Sequence, residues 1–192
     1  MRKLAIVAFL VFVMVPAGFP QQAKAPPAPG ADFPKVVLTA PDTRSERSYL
    51  GLSGRGKFDI SQIKAPVVIL EILSIYCPYC QNEAPNINEL YRMIEADANL
   101  RGKIVIVGLG AGNSAYEAGA FKKKYSVPFP IIPDPEFAAY GQIGEVRTPH
   151  FIGIRKTSEG SPRVFYSKTG AIGDPAEFLA KIKKAAGIKE LK

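Results

Sequence analysis

Two long apolar runs stand out in the middle of the chain. Residues 67–76 and 104–109 are apolar at nearly every position, which is typical of strands at the centre of a sheet that is covered on both faces. The residues between the two runs are apolar at helical spacing and predict a helix over 78–98. Its buried side is formed by Ile87, Leu90, Tyr91 and Ile94.

Further helices and strands follow the second run. Ser114 and Glu117 have the spacing of a capping box and predict the start of a helix that extends toward Tyr125. A short helix is expected over 135–140. The apolar segments 151–154 and 164–166 then predict a strand pair, joined by a polar turn over 156–162.

The end of the chain predicts a closing helix. Asp174 is a suitable cap, Pro175 suits the first helical turn, and Gly187 is suited to end the helix. Strands and helices therefore alternate through most of the sequence, and a strand pair and a helix come last. This order predicts a three-layer α/β/α sandwich with a central sheet.

The N-terminal part has a different composition. Residues 1–25 combine an early basic pair, an apolar run and small residues at Ala23 and Ala25, which predicts a secretory signal peptide, with an uncleaved anchor as the alternative. Residues 26–34 are rich in proline, alanine and glycine and predict a flexible linker. A single domain is then expected over 35–192. It would begin with a short strand at 36–38 and a β-hairpin formed by 49–52 and 58–63.

Charge adds little to this description. The net charge is +8, but the basic residues are dispersed along the chain, which is typical of a solvated surface. We therefore expect no nucleic-acid partner, and we expect a monomer.

Both cysteines of the chain, Cys77 and Cys80, lie in one C-x-x-C turn between the first apolar run and its helix. A helix N-terminus stabilises a thiolate, so Cys77 is expected to have the lower pKa and to act as the nucleophile. Cys80, one turn further along, could resolve a mixed disulfide. Such a pair exchanges two electrons without any cofactor.

Two other interpretations of the pair are weaker. An inert disulfide would constrain the unfolded chain little, because the loop it closes is so short. A structural zinc site needs four ligands, whereas the sequence contains two cysteines and one histidine, His150. We therefore expect no metal site.

Three stretches together resemble a known family. LEILSIYCPYCQNEAP, PFPIIPDP and TPHFIGI are similar to segments of the thioredoxin-like superfamily, and the x-x-Glu-x-Pro that follows the C-x-x-C resembles its exported TlpA/ResA branch. The resemblance covers roughly residues 32–186. It implies a thioredoxin fold with an N-terminal hairpin, and the activity of a thiol-disulfide oxidoreductase.

The resemblance also implies roles for residues near the cysteines. Cys77 would be the nucleophile and Cys80 the resolving thiol, and Pro149 would follow Thr148 through a cis peptide bond opposite the active site. Substrate contacts would come from residues that flank these positions: Tyr76, Pro78, Tyr79 and Thr148.

Two acidic residues are candidates for tuning the thiols. Glu71 lies six residues before Cys77, at a position similar to that of the buried acid of thioredoxin, where it could take a proton from Cys80. The alternative is an ion pair with a lysine such as Lys103. Glu83 matches the glutamate of the TlpA/ResA motif, and the alternative for it is an exposed helix acid.

The sequence departs from the family pattern beside both cysteines. Pro78-Tyr79 stands between them, as in glutaredoxins, and Tyr76 replaces the tryptophan common in thioredoxins. These changes leave the direction of electron flow open. His150 is either a pH-sensitive neighbour of the site or a packing residue.

We therefore predict an extracytoplasmic enzyme that reduces protein disulfides, with cytochrome c maturation as an implied task and a membrane electron-transfer protein as its redox partner. A disulfide oxidase or isomerase is the alternative, and a non-catalytic binding module is the alternative from another class. A peroxiredoxin is disfavoured, because neither cysteine has the proline seven residues before it that the peroxiredoxin signature requires.

Overall fold

The structure is a computed structural model that describes residues 24–157 and 161–188. The predicted signal peptide lies outside the described residues except for Lys24 and Ala25, and part of the predicted 156–162 turn is likewise outside them. The helices are α1 (Arg44–Leu50), α2 (Pro78–Ala96), α3 (Ala115–Tyr125), α4 (Ala138–Ile143) and α5 (Pro175–Ala186). The strands are β1 (Leu38–Thr39), β2 (Lys57–Phe58), β3 (Val67–Leu73), β4 (Ile104–Ala111), β5 (Ile131–Asp134), β6 (His150–Arg155) and β7 (Arg163–Thr169).

Five strands form one mixed sheet in the order β5-β4-β3-β6-β7. β3, β4 and β5 are parallel and are connected through α2 and α3, whereas β6 and β7 run antiparallel to their neighbours. β3 therefore lies at the centre, and every one of its residues is buried. The predicted sheet with helical layers is confirmed.

Alternation along β3 divides the core into two parts. Ile69 and Leu73 pack under α2, α3 and α5, on what we call the α2 face. Leu70 and Ile72 point to the other side, which we call the extension face because residues 33–65 cover most of it, together with α4. The covering of both sides explains why β3 can be apolar at consecutive positions.

Local signals place the helix ends. Ser114 and Glu117 form the predicted capping box at the start of α3. Asp174 accepts a hydrogen bond from the Glu177 amide at the start of α5, and Gly187 ends that helix in the left-handed conformation. These predictions are confirmed because caps depend on residues only a few positions apart.

The N-terminal strand pair differs from the predicted hairpin of 49–52 and 58–63. An antiparallel strand pair is present, but it joins Leu38–Thr39 to Lys57–Phe58. Residues 49–52 lie instead at the end of α1, which begins after the Thr43 cap. The segment is too short for its apolar pattern to separate a strand from a helix turn. β5 was also not predicted as a strand.

Residues 24–34, which we call the N-terminal strap, include the predicted flexible linker 26–34 but are hydrogen-bonded to the rest of the chain. The Glu145 amide donates to the Lys24 carbonyl over 2.9 Å, and the Gly30 amide donates to the Val164 carbonyl over 2.8 Å. Phe33 is buried in the core of the extension face. A buried aromatic ring and paired backbone groups fix this segment, although its composition is that of a linker.

Within the described residues, no helix has both the length and the apolar character that a membrane span requires.

Candidate active site

Cys77 and Cys80 lie where the central strand passes into α2. Cys77 is the N-cap residue of this helix, and Pro78 occupies the first helical turn, where its missing N–H costs no hydrogen bond. The Cys77 side chain is half-buried, whereas Cys80, one turn further on, is 1% exposed. Both cysteines are free thiols. The sulfur at the helix N-terminus is therefore the more accessible of the two.

The surroundings shift the two thiols in opposite directions. Partial burial acts to raise the pKa of Cys77, but hydrogen bonds from the Thr148 side chain and from Cys80, followed by the Tyr79 amide, outweigh it and lower that pKa. Burial raises the pKa of Cys80 to about 12, with further contributions from Cys77 and from the charge of Glu71. Cys77 is thus the sulfur that ionises first.

The loop before β6 faces Cys77 across the site. β6 runs antiparallel to β3, so the start of β6 meets the end of β3. The Thr148–Pro149 peptide bond is cis, as the resemblance implied. The Cys77 thiol donates a hydrogen bond to the Thr148 carbonyl over 3.2 Å, so the predicted loop and the predicted nucleophile are in direct contact.

Glu71 lies beneath the cysteine pair on the α2 face. It is 4% exposed, and its Cα is paired with that of Phe151 on β6. Burial, together with the nearby charge of Glu83, raises the pKa of Glu71 to about 8. Within the described residues its carboxylate has no hydrogen bond or ion pair, so the alternative of a pair with Lys103 is not realised. A buried acid of this kind can hold or accept a proton near neutral pH.

Glu83 is also buried, on the first turns of α2, and is not the exposed helix acid of the alternative interpretation. Its Oε1 accepts a hydrogen bond from the Ile172 amide over 2.9 Å. Burial raises the pKa of Glu83, although this amide and the Asn86 side chain partly oppose the shift. The two carboxylates, Glu71 and Glu83, therefore repel each other when both are charged.

Tyr76 and Tyr79 flank Cys77 and project into solvent, with 67% and 74% exposure. The Tyr76 hydroxyl donates a hydrogen bond to Glu117, and Glu117 is the N3 residue of the capping box of α3. The Tyr76 ring is thus hydrogen-bonded to a neighbouring helix, whereas the Tyr79 hydroxyl has no hydrogen bond within the described residues.

His150 is a packing residue. Its Cα is paired with that of Ile72, so its side chain points to the extension face, away from Cys80 and Glu71. Its Nδ1 lies 2.8 Å from Thr169 Oγ1, and its Nε2 lies 3.0 Å from Ser167 Oγ. Burial lowers the pKa of His150. A role as a pH-sensitive neighbour of the thiols is not supported.

Two grooves border the cysteine turn, and their linings include residues that the sequence analysis missed. One groove, of about 380 Å³, is lined partly by Tyr76, Phe137 and Thr148. The other, of about 410 Å³, is lined partly by Tyr79, Glu83 and Pro149. Arg147 lines both grooves. Its position directly before Thr148-Pro149 was the one available signal, whereas Phe137 carried none.

No group of three or more metal-ligating side chains occurs within the described residues. The arrangement nonetheless supports chemistry by the thiols alone. An ionisable sulfur is accessible at a helix N-terminus, a second sulfur is buried behind it, and a buried acid lies below. A pair of thiols in this arrangement can carry out disulfide exchange, and the acid can take up a proton.

Comparison with solved structures identifies the fold. The chain superimposes on a candidate protein disulfide isomerase from Bacteroides thetaiotaomicron with a TM-score of 0.61 and 16% identity, covering 84% of this chain and 90% of that one. A thiol:disulfide interchange protein of the thioredoxin family from Chlorobium tepidum gives a TM-score of 0.55 at 18% identity, covering 84% and 99%. StoA from Bacillus subtilis gives 0.54 at 16% identity, covering 77% and 96%. At these identities the similarity establishes the thioredoxin-like fold.

A search of the curated proteins gives no match. Among family models, that of the AhpC/TSA family matches residues 31–161. This segment is more than half of the chain, and it contains both cysteines and the Thr148–Pro149 loop. The protein therefore belongs to the AhpC/TSA family.

Proposed function

We propose that the protein is an extracytoplasmic thiol-disulfide oxidoreductase that reduces disulfide bonds in client proteins. The observation that supports this best is the asymmetry of its two thiols. The pKa of the half-buried Cys77 is lowered, and the pKa of the buried Cys80 is raised to about 12. An attacking sulfur and a resolving sulfur need this difference.

Reduction proceeds in two exchanges. The Cys77 thiolate attacks one sulfur of the client disulfide, so that the client S–S bond breaks and a Cys77–client disulfide forms. The other client sulfur leaves as a thiolate and takes up a proton. Cys80 then loses its proton and attacks the Cys77 sulfur, which releases the second client thiolate. The client has gained two electrons, and the protein holds a Cys77–Cys80 disulfide.

Glu71 accepts the proton of Cys80 in the second exchange. The Cys80 thiol is buried and resists ionisation, so a base close to it is needed. Glu71 lies on the same side of β3 as Cys80, and its charge contributes to the raised pKa of Cys80. Glu83 raises the pKa of Glu71 through its own charge, so it tunes this base.

The client polypeptide lies across the cysteine turn. Tyr76, Pro78 and Tyr79 contact it on the α2 side, and Thr148 contacts it from the opposite loop. Pro149 shapes that loop. The grooves on both sides of the turn support this placement, because they leave the surroundings of Cys77 open.

The cellular setting follows from the sequence. The predicted signal peptide implies export. The resemblance to the TlpA/ResA branch implies that a membrane electron-transfer protein reduces the Cys77–Cys80 disulfide back to two thiols. Preparation of cytochrome c precursors for haem attachment is the task that this branch implies.

A second candidate is a disulfide oxidase or isomerase. Export into an oxidising compartment and the Pro78-Tyr79 dipeptide favour it. The reduction potentials of C-x-x-C proteins extend from about −270 to about −120 mV. Reductants lie near the lower value and oxidants near the higher one.

The reduction potential of the Cys77 and Cys80 pair decides between these candidates. It is measured by equilibrating residues 24–192 with dithiothreitol or glutathione buffers. We expect a value near the thioredoxin end, about −270 mV, and catalytic reduction of insulin. A value near −120 mV would identify an oxidase. Absence of insulin turnover, with a disulfide that dithiothreitol does not open, would instead support a non-catalytic binding module.

A further inference from the structure

We propose that the surface around Cys77 selects clients that carry an acidic residue next to their reactive cysteine, and that Arg147 is the specificity-determining residue. This inference rests on the proposed function and adds the client class. The surface consists of the two grooves beside the cysteine turn: the Tyr76 groove, lined partly by Tyr76 and Phe137, and the Tyr79 groove, lined partly by Tyr79 and Glu83.

Exposed aromatic rings are concentrated on this surface. Among the described residues, five large hydrophobic side chains are exposed: Val37, Tyr76, Tyr79, Tyr116 and Phe137. Tyr76, Tyr79 and Phe137 line the grooves, and Tyr116 precedes Glu117, the hydrogen-bond partner of Tyr76. Clustered exposed aromatic rings are characteristic of protein-binding surfaces. The occupant is therefore a polypeptide.

Arg147 joins the two grooves. It belongs to the lining of both, and it stands directly before Thr148, whose carbonyl accepts the hydrogen bond of the Cys77 thiol. A client cysteine that reaches Cys77 therefore brings its neighbouring residues close to this guanidinium. An extended chain advances about 3.3 Å per residue, so residues one or two positions from the client cysteine come within its reach.

The charge of Arg147 is available to a client. Its side chain is exposed and has no hydrogen bond or ion pair with residues 24–157 or 161–188. Two acidic side chains beside the grooves are already engaged: Glu117 bonds to Tyr76 and Ser114, and Glu83 is buried and accepts a hydrogen bond from the Ile172 amide. Arg147 is the one basic side chain that lines either groove within the described residues.

A carboxylate is the group that fits this position. The guanidinium is a planar fork of donors that matches the two oxygens of a carboxylate. At a rim position such a pair changes the rate of encounter more than the final affinity, and the effect weakens with salt. Selection should therefore be visible in the second-order rate of the first exchange.

The test uses three peptides that differ at one position. Each contains a single cysteine, activated as a disulfide with neutral 2-thiopyridine, and the residue next to the cysteine is Glu, Gln or Lys. The rate of thiopyridone release by the reduced protein is measured at low ionic strength. The readout is the ratio of the Glu-peptide rate to the Lys-peptide rate within each protein, so a general change in Cys77 reactivity cancels.

With the wild-type protein, the Glu peptide should react about 5- to 20-fold faster than the Lys peptide, and added salt should bring this ratio of rates closer to one. Arg147→Gln should bring the ratio close to one, and Arg147→Glu should invert it. Lys103→Glu is the matched control, because Lys103 is exposed and precedes β4 at the opposite end of the sheet. That variant should keep the wild-type ratio.

Equal rates for the three peptides with the wild-type protein would overturn the proposal, as would a ratio that Arg147→Gln and Arg147→Glu leave unchanged. Failure of the proposed function is distinguishable from these results. In that case the wild-type protein would also fail to reduce insulin and the small neutral disulfide of 2-mercaptoethanol, and the client proposal would fall with it.

Discussion

The two faces of the central sheet each bury an ionisable side chain, and the two side chains have different surroundings. On the extension face, both ring nitrogens of His150 lie within hydrogen-bond distance of a hydroxyl group, from Thr169 and Ser167. On the α2 face, Glu71 is equally buried but has no hydrogen bond or ion pair within the described residues. Its charged neighbour is another acid, Glu83.

This difference separates a structural polar group from a candidate reactive one. Buried polar groups are normally paired, because an unpaired one costs free energy. His150 follows that rule and needs no function to explain it. Glu71 has no such hydroxyl partner, and its charge acts on the buried thiol of Cys80; strongly perturbed acids in such positions are candidates for proton transfer. The comparison therefore makes Glu71 a candidate for proton transfer and His150 a structural residue.

The largest expected effect is on the α2 face, at the cysteines. Cys77→Ser should abolish insulin reduction, because the attacking sulfur is lost. Cys80→Ser should accumulate mixed disulfides with clients, because nothing resolves them. Non-reducing electrophoresis and mass spectrometry detect these adducts. Adducts on the Cys77→Ser protein and none on the Cys80→Ser protein would reverse the two roles.

Glu71→Gln should slow the resolving exchange by about 10-fold or more, since the base for Cys80 is removed.

Glu71→Gln should also change how the stability of the fold depends on pH. The pKa of Glu71 rises from 4.5 to about 8 on folding, so the folded state binds the proton more tightly. Stability therefore falls as pH rises from about 5 to 8, by an amount on the order of 4 kcal/mol. The Gln variant should lack this decline in urea unfolding series.

Glu83→Gln tests whether the charge of Glu83 contributes to the raised pKa of Glu71. It removes the charge that repels Glu71, so the decline in stability should move to lower pH and should not disappear. If the decline were the same in all three proteins, neither acid would be its source.

Truncation on the extension face should affect stability alone. Ile152 is fully buried in the core of that face, so Ile152→Ala should cost about 2–4 kcal/mol. The rate of insulin reduction per folded molecule should stay at the wild-type value. Ile69→Ala is the matched truncation on the α2 face. It should cost a similar amount, and it should also shift the pH dependence of exchange, because it loosens the packing around Glu71. An altered exchange rate in the Ile152→Ala protein would contradict the prediction that the extension face affects stability alone.

The smallest expected effect belongs to His150. Burial lowers its pKa below 6.5, so the unfolded chain binds a proton that the folded protein does not. Stability is therefore lost as pH falls through about 6.5, the opposite slope from that of Glu71. His150→Leu should remove this acid-side slope and leave the pH profile of exchange unaltered. A shifted pH profile of the exchange rate would show that His150 affects the reactivity of the thiols.

The sequence by itself determined the features that depend on nearby residues. The apolar runs of β3 and β4 predicted buried strands, and the caps at Ser114 and Asp174 predicted where α3 and α5 begin. The position of Cys77 between a strand and a proline-led helix predicted the difference between the two thiols. All of these rest on spacings of a few residues, over which backbone geometry is nearly fixed.

The tertiary structure decided the features that depend on distant residues. Only folding brings Thr148 to Cys77 and Glu83 to Glu71, and only the sheet register turns His150 away from the thiols. The 49–52 segment forms the end of a helix and its cap, and the N-terminal strap is packed, because long-range contacts outweigh local propensity. Burial and pairing are properties of the assembled core, and no local pattern contains them.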